Sequence, residues 1–162
     1  MTEPSEIDPA EFRNVLGHFP TGVTVVTAET SAGPIGVAIG SFASISLDPP
    51  LVGFFLGNQS ASGLAIEEAG HFCVNILAAD QLELCGLMAS KAEDKFRNVE
   101  TSPAPKSGSP MLPEVHAVID CAVESIVSTG DHNLIVGKVL HLEPHREAPP
   151  LVFYKGQYGT FT

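Results

Sequence analysis

The sequence predicts a mainly β protein, an antiparallel barrel that carries a few short helices. Two observations point there. Stretches with strand character outnumber helical ones. Turns of about two to six residues join most of them, and an antiparallel barrel with a few helices fits that pattern.

The bulk numbers bound the rest. A chain of 162 residues with 44% hydrophobic and 17% charged residues is long enough for one packed domain and too short for two. Residues 1–7 read as a flexible arm and 8–162 as the single domain. Eight basic against nineteen acidic residues give a net charge of −11. That leaves no basic stripe to neutralise a nucleic-acid backbone, although a small phosphorylated ligand needs only local donors. The cysteines Cys73, Cys85 and Cys121 are odd in number, widely spaced and set in apolar segments, which predicts buried free thiols. The start, Met1 to Glu6, is acidic where a signal peptide is basic, and no long apolar segment follows. The expectation is a cytoplasmic protein with no membrane partner.

Taken in order, Asp8-Pro9-Ala10-Glu11 opens a helix, with Asp8 as N-cap and Pro9 at the first helical position. Phe12, Val15, Leu16 and Phe19 give it one apolar face, and Pro20 ends it. Thr21 to Thr27 is β-branched and predicts a strand. A turn at Ser31-Ala32-Gly33-Pro34 pairs 22–28 with 35–40 as a hairpin. Phe42, Ile45 and Leu47 alternate with small and hydroxyl residues in the next strand. Asp48-Pro49-Pro50 is a turn or edge crossing, because two prolines donate nothing to a ladder. The unbroken run Leu51 to Leu56 reads as a strand buried on both faces. Serines at 41, 44 and 46 either form a solvent-facing side or a polar shelf for a ligand.

The loop Gly57 to Gly63 feeds a short helix pattern at 64–69. Its serines either cap that helix or, with the helix dipole, hold an anion. His71 to Leu77 is another strand. Asn75 within it is a buried polar group that must find partners. Asp80-Gln81-Leu82-Glu83 reads as a capping box opening a helix through about Ala89. Ser90-Lys91-Ala92-Glu93 reads as a further box for one short turn. Residues 100–113, rich in proline, form a long loop of the kind that often serves as a lid. Val115 to Val127 predicts a strand with Ala117, Ile119, Cys121 and Val123 on one face. A turn at 128–133 returns it into Leu134 to Leu142 as a long hairpin. His141 and His145 span a strand end and lack a nearby carboxylate pair, so no metal is expected. There is no Gly-x-Gly-x-x-Gly or Walker pattern, so any nucleotide is held without a Rossmann or P-loop device.

Several of these stretches together carry a resemblance. Gly36-Val37-Ala38-Ile39-Gly40-Ser41-Phe42-Ala43-Ser44-Ile45-Ser46-Leu47-Asp48-Pro49-Pro50-Leu51-Val52 resembles the flavin reductase family pattern Gly-x-Thr-x-Asn-Ser-Phe-x-Ser-Val-Ser-Leu-Asp-Pro-Pro-Leu-Val. Pro20-Thr21-Gly22-Val23, His71 to Leu77, Asp94-Lys95-Phe96, Gly130-Asp131-His132 and the tail Leu151 to Tyr158 are similar to that family's other motifs, in the same order. Ala38 and Gly40 stand where the pattern has Thr and Asn, and Ala43 where Thr is common. Tyr154 comes one place later than in the usual ending.

The resemblance implies an FMN-binding split barrel of antiparallel Greek-key type, usually a homodimer. It implies NAD(P)H-dependent reduction of FMN or FAD, with NADH or NADPH as hydride donor and a separate monooxygenase as recipient of reduced flavin. Ser41, Phe42, Ala43, Ser46 and Leu47 are then expected at the flavin ring and ribityl chain. Asn58, Ser60 and Ser62 are expected at the phosphate, Lys95 at a flavin or pyridine-nucleotide phosphate, and His132 at the nicotinamide. Thr21 either points at the flavin or caps a strand end. Tyr158 either packs over the flavin or closes the core. A flavin-storing or flavin-sensing module that reduces slowly, and a binder of a deazaflavin, are the alternatives; the missing donors at Ala38 and Gly40 motivate the first.

Overall fold

In the computed structural model, which describes residues 6–162, seven strands form one antiparallel sheet in the order β3-β2-β6-β9-β10-β5-β4. The strands are β2 (Thr24–Thr30), β3 (Gly33–Ile39), β4 (Ala43–Leu47), β5 (Pro50–Gly57), β6 (His71–Ile76), β9 (Ala117–Thr129) and β10 (His132–Pro144). A second sheet is built from β1 (Thr21–Gly22), β11 (Leu151–Tyr154) and β12 (Gln157–Thr160), in the order β1-β11-β12. The expected arm at 1–7 lies, for residues 1–5, outside the described residues.

Helix α1 (Pro9–Leu16) begins as its sequence requires: the Asp8 carboxylate accepts from Ala10 N–H at 3.0 Å. Its apolar face is uncovered. Phe12, Val15, Leu16 and Phe19 are all exposed. Helices α2 (Ala61–Ala69) and α3 (Leu82–Ala89) instead cover the two faces of the large sheet. Ile66 of α2 packs with Val26, Phe54, Phe72 and Val74 on one side. Cys85 and Met88 of α3 pack with Val25, Cys73 and Val118 on the other. Neighbouring residues of β2 therefore serve opposite cores, as the period of a strand demands.

The expected barrel is not closed. Strands β3 and β4 are the two edges of the sheet; the crossover Gly40 to Phe42 joins them in the chain, but no ladder pairs them. The reason lies at Ser41. The β4–β5 ladder ends at Ala43↔Gly53. Beyond it, the Ser41 hydroxyl takes the Phe55 backbone N–H at 2.9 Å and donates to the Phe55 carbonyl at 3.2 Å.

Other expectations change for local reasons. Strand β5 is not buried on both faces: Phe54 is enclosed and Phe55 is exposed, because nothing among the described residues covers that side. Asp80 does not cap α3; its carboxylate forms a two-point pair with Arg146 at 2.6 and 2.9 Å. Gln81 stands at the N-cap of α3 without a side-chain cap bond; its side-chain oxygen instead accepts from Ala78 N–H at 3.0 Å at the start of the short 3-10 turn Ala79–Gln81. Ser90 opens no helix; its hydroxyl donates to the Leu87 carbonyl at the end of α3. The 100–113 segment is no free lid. It contains a two-stranded ribbon, β7 (Ser102–Pro103) with β8 (Pro110–Met111), and buries Ala104 and Leu112 in the core. Asn75, fully buried, fixes it by accepting from Leu112 N–H at 2.9 Å while donating to Val25 O at 3.0 Å.

Candidate functional site

The crossover at Ser41 borders the largest hollow described, a cleft of ≈ 750 Å³. One wall is Pro20 to Thr24, the second is Gly40 to Ala43, and Phe153 of β11 closes the third. The sequence builds it in three steps. Pro20 breaks the chain away from α1, and β1 then pairs with β11, setting Thr21 opposite Phe153. Gly40 lets the walls meet, since a Cβ there would lie 3.3 Å from Thr21 Oγ1.

The polar inventory of the cleft differs from the expected shelf of serine hydroxyls. Ser41 Oγ is already engaged by Phe55 on both its donor and acceptor sides. The backbone N–H groups of Ser41 and Phe42 remain, with no acceptor among the described residues. The Phe42 ring leans on the α2-side core while also lining the cleft. Ala43 adds a small apolar surface. Ser46 and Leu47 do not reach the cleft. They lie farther along the open edge strand, past a bulge between Ser44 and Ser46, and Leu47 is 97% exposed.

The residues expected at a phosphate divide between two places. Asn58 and Ser60 line a void of only ≈ 10 Å³, about the room of one water. Ser60 is the N-cap of α2, its hydroxyl accepting from Gly63 N–H at 3.2 Å, and Asn58 N–H donates to Asp131 O at 3.0 Å. Ser62 and Lys95 do come together, in a hollow of ≈ 380 Å³ where the start of α2 meets Pro34 to Gly36 and the segment 90–96. Lys95 Nζ donates to Met88 O at 2.7 Å and Gly36 O at 3.0 Å, and burial holds its pKa below the usual lysine value. One of its three protons is left for a ligand.

His132 stands at the tip of the β9–β10 hairpin, opposite Gly57, after a tight turn in which Gly130 has φ 67°. Its Nδ1 lies 2.7 Å from Asp131 Oδ1, and hydrogen bonding to His132 holds the Asp131 carboxyl below the usual range. The ring lines none of the hollows described here. Tyr158 packs against Phe153 with ring centres 5.0 Å apart and accepts from the buried Cys85 thiol at 3.6 Å. That contact, followed by burial, raises its phenol pKa. Tyr158 thus backs the Phe153 wall of the cleft.

Two residues of note carried little signal in the sequence. Phe153 sits in an ordinary apolar run, and only the pairing of β11 with β1 turns it toward Thr21. Asp120 is fully buried in β9. Its Oδ2 accepts from Lys106 N–H at 2.7 Å and Ser107 N–H at 3.1 Å, which pins the 100–113 segment. A lone carboxylate in an apolar strand was its only sign, the same kind that marked Asn75. The thiols beside it are inert: burial, more than the nearby Asp120 charge, pushes Cys73 up to about 12 and raises Cys121 as well. Among the described residues, no group of three His, Cys, Asp or Glu could hold a metal ion, and no helix is long and apolar enough to cross a membrane.

The flavin reductase like domain matches residues 16–162, which include every wall of the cleft. The chain belongs to the flavin reductase family. It is 47% identical to a flavin reductase of Pseudomonas putida, over 97% of this chain and 92% of that protein. It is also 47% identical to HsaB, the reductase subunit of a flavin-dependent monooxygenase of Rhodococcus jostii, over 94% of this chain and 77% of the relative. Among solved structures it superposes on the NADH:FAD oxidoreductase SgcE6 of Streptomyces globisporus in complex with NAD and FAD fragments. That match has a TM-score of 0.90 and 30% identity, and covers 98% of each chain.

Proposed function

We infer that this protein is an NAD(P)H:flavin oxidoreductase that supplies reduced flavin to a separate monooxygenase component. The observation that carries this reading is the cleft between Thr21 and Ala43, with its two unpaired backbone donors, inside a chain of this family. The residues present fit a flavin. A flat, largely apolar tricycle needs apolar walls and a few donors at its polar edge. Phe42, Ala43 and Phe153 supply the walls, and Ser41 and Phe42 N–H supply the donors.

Strand β3 links this cleft to the second hollow. Gly40, the residue after it, lines the cleft, and Gly36 within it lines the Ser62–Lys95 hollow. Four residues of strand span about 13 Å, comparable with the reach of a ribityl phosphate from its ring. Ser62, the remaining Lys95 proton and the free N–H groups of α2 would hold the phosphate there. Bound in this way, FMN or FAD supplies the hydride-accepting ring. The protein supplies orientation and a fixed set of donors, with no acid or base required of it. His132, with its ring orientation fixed by Asp131, would orient NADH or NADPH from the far end of β5.

The uncovered face of α1 and the exposed Ile45, Leu47 and Phe55 favour a homodimer that buries them. The single domain at 8–162 is read as a split barrel of Greek-key type whose open edge a second copy would cover. A cytoplasmic location is consistent with three reduced thiols. The test is oxidation of NADH and of NADPH by the purified protein with FMN, FAD or no flavin. Flavin-dependent turnover is expected; flavin bound without turnover would leave only a flavin-binding module.

A further inference from the structure

On the other side of β1 and β11 from the cleft lies a separate hollow of ≈ 450 Å³. Its floor is His18 and Pro20, just past α1, and its wall is the β11–β12 hairpin; Lys155 N–H ties the hairpin to Gly17 O at 3.0 Å. We propose that this hollow holds the adenosine end of a dinucleotide whose reactive ring lies in the cleft. The proposal rests on the flavin reductase reading for the identity of that ring.

Strand geometry places the key side chain. Successive residues of β11 face opposite ways, so Phe153 lines the cleft while Val152 and Tyr154 line the hollow. In the family's usual ending the tyrosine comes one place earlier, on the cleft side. Here the one-residue shift turns the phenol ring to the other face. Tyr154 is 43% exposed, so aromatic surface is available for a base to stack on. Gln157 is its direct cross-strand partner and brings an amide with both donor and acceptor, which the edge of adenine requires. Lys155 Nζ lies over the Tyr154 ring, 5.4 Å from its centre, and so brings a cation to the edge of the hollow, next to the proposed base. The turn that joins β11 to β12 is tight, with Lys155 at φ 50° and Gly156 at φ 74°. His18, its Nδ1 held by Asn14 O at 3.0 Å, completes the far side. Pro20 lines both the hollow and the cleft, so one molecule can cross it and occupy both.

The adenosine can belong to NAD(P)H or to FAD, and two substrate pairs separate these sources. Reduced nicotinamide mononucleotide is NADH without its adenosine half, and FMN stands in the same relation to FAD. Tyr154→Leu keeps apolar volume on the strand and removes the stacking face; Tyr154→Phe keeps that face. The Leu variant is expected to raise the KM of one dinucleotide about tenfold, within the range that base stacking on an aromatic ring provides, and to leave its mononucleotide partner unchanged. The Phe variant should stay within about twofold of wild type on the same scale. A rise for NADH alone assigns the hollow to the hydride donor, and a rise for FAD alone assigns it to the flavin. Equal changes for a dinucleotide and its mononucleotide, or no change in either pair, overturn the proposal while the reductase reading stands. If no nicotinamide is oxidised with any flavin, that reading falls and AMP titration decides the hollow alone. Weaker AMP binding by the Leu variant than by wild type then supports it, and equal or absent binding overturns it.

Discussion

The centre of the large sheet and its edge obey different rules. At the centre, β6, β9 and β10 pack so closely that a Cβ on Gly137 would collide with the Phe72 ring, itself edge-on to Phe54 at 5.1 Å. Asn75, enclosed there, bonds on both sides of its amide, and Asp120 receives two backbone N–H groups on Oδ2 while its buried Oδ1 has no partner among the described residues. At the edge, from Gly40 to Leu47 and across to β1 and β11, apolar side chains stay open and two N–H groups lack acceptors. The centre is packed within one chain. The edge is left open, and that is where the proposed ligand and second copy would sit.

Mutation can break or sharpen this contrast. The largest effect is expected at the centre. Gly137→Val forces a branched side chain into the Phe72 ring and should cost about 3 kcal/mol, the upper part of the usual range for overpacking. Urea unfolding measures it; a loss under 1 kcal/mol, the order of one ordinary hydrogen bond, would mean the centre has slack. At the edge, Ser41→Ala removes both hydrogen bonds to Phe55 and should cost about 1 kcal/mol. Its flavin KM should rise severalfold, because the donors of the crossover lose their anchor. A variant equally destabilised but with wild-type flavin kinetics would separate Ser41 from the site. The smallest effect is expected at Asp80. Hydrogen bonds from Arg146 depress its carboxyl pKa. The pair therefore contributes fully above the ordinary carboxylate pKa and is lost as pH falls through the lower, folded-state value. Asp80→Asn should flatten that acid-side fall in melting temperature while changing little at neutral pH, since the pair is exposed.

What the sequence disclosed follows the same division. The Asp8 cap, the β2–β3 and β9–β10 hairpins, the buried thiols and the need of Asn75 for partners were legible, because each rests on a local pattern or on the cost of burying a polar group. The crossover motif also located the cleft. Less visible was which groups its residues still have free. Whether the Ser41 hydroxyl faces a ligand or Phe55 depends on where the β4–β5 ladder stops. The run 51–56 looked buried twice over, yet composition does not report whether a second layer exists to cover Phe55. Asp80 had the spacing of a cap, but Arg146, sixty-six residues away, outcompeted the helix for its carboxylate.

The most direct test of the account is a flavin titration of Ala43→Phe beside wild type. Ala43 is exposed on the edge strand and lines the cleft, so a phenyl ring there fills the ring site without touching the sheet centre. The account predicts an unchanged melting temperature with FMN and FAD binding reduced at least tenfold, the equivalent of about 1.4 kcal/mol. Wild-type affinity for both flavins in a folded Ala43→Phe protein would contradict it and place the flavin elsewhere on the molecule.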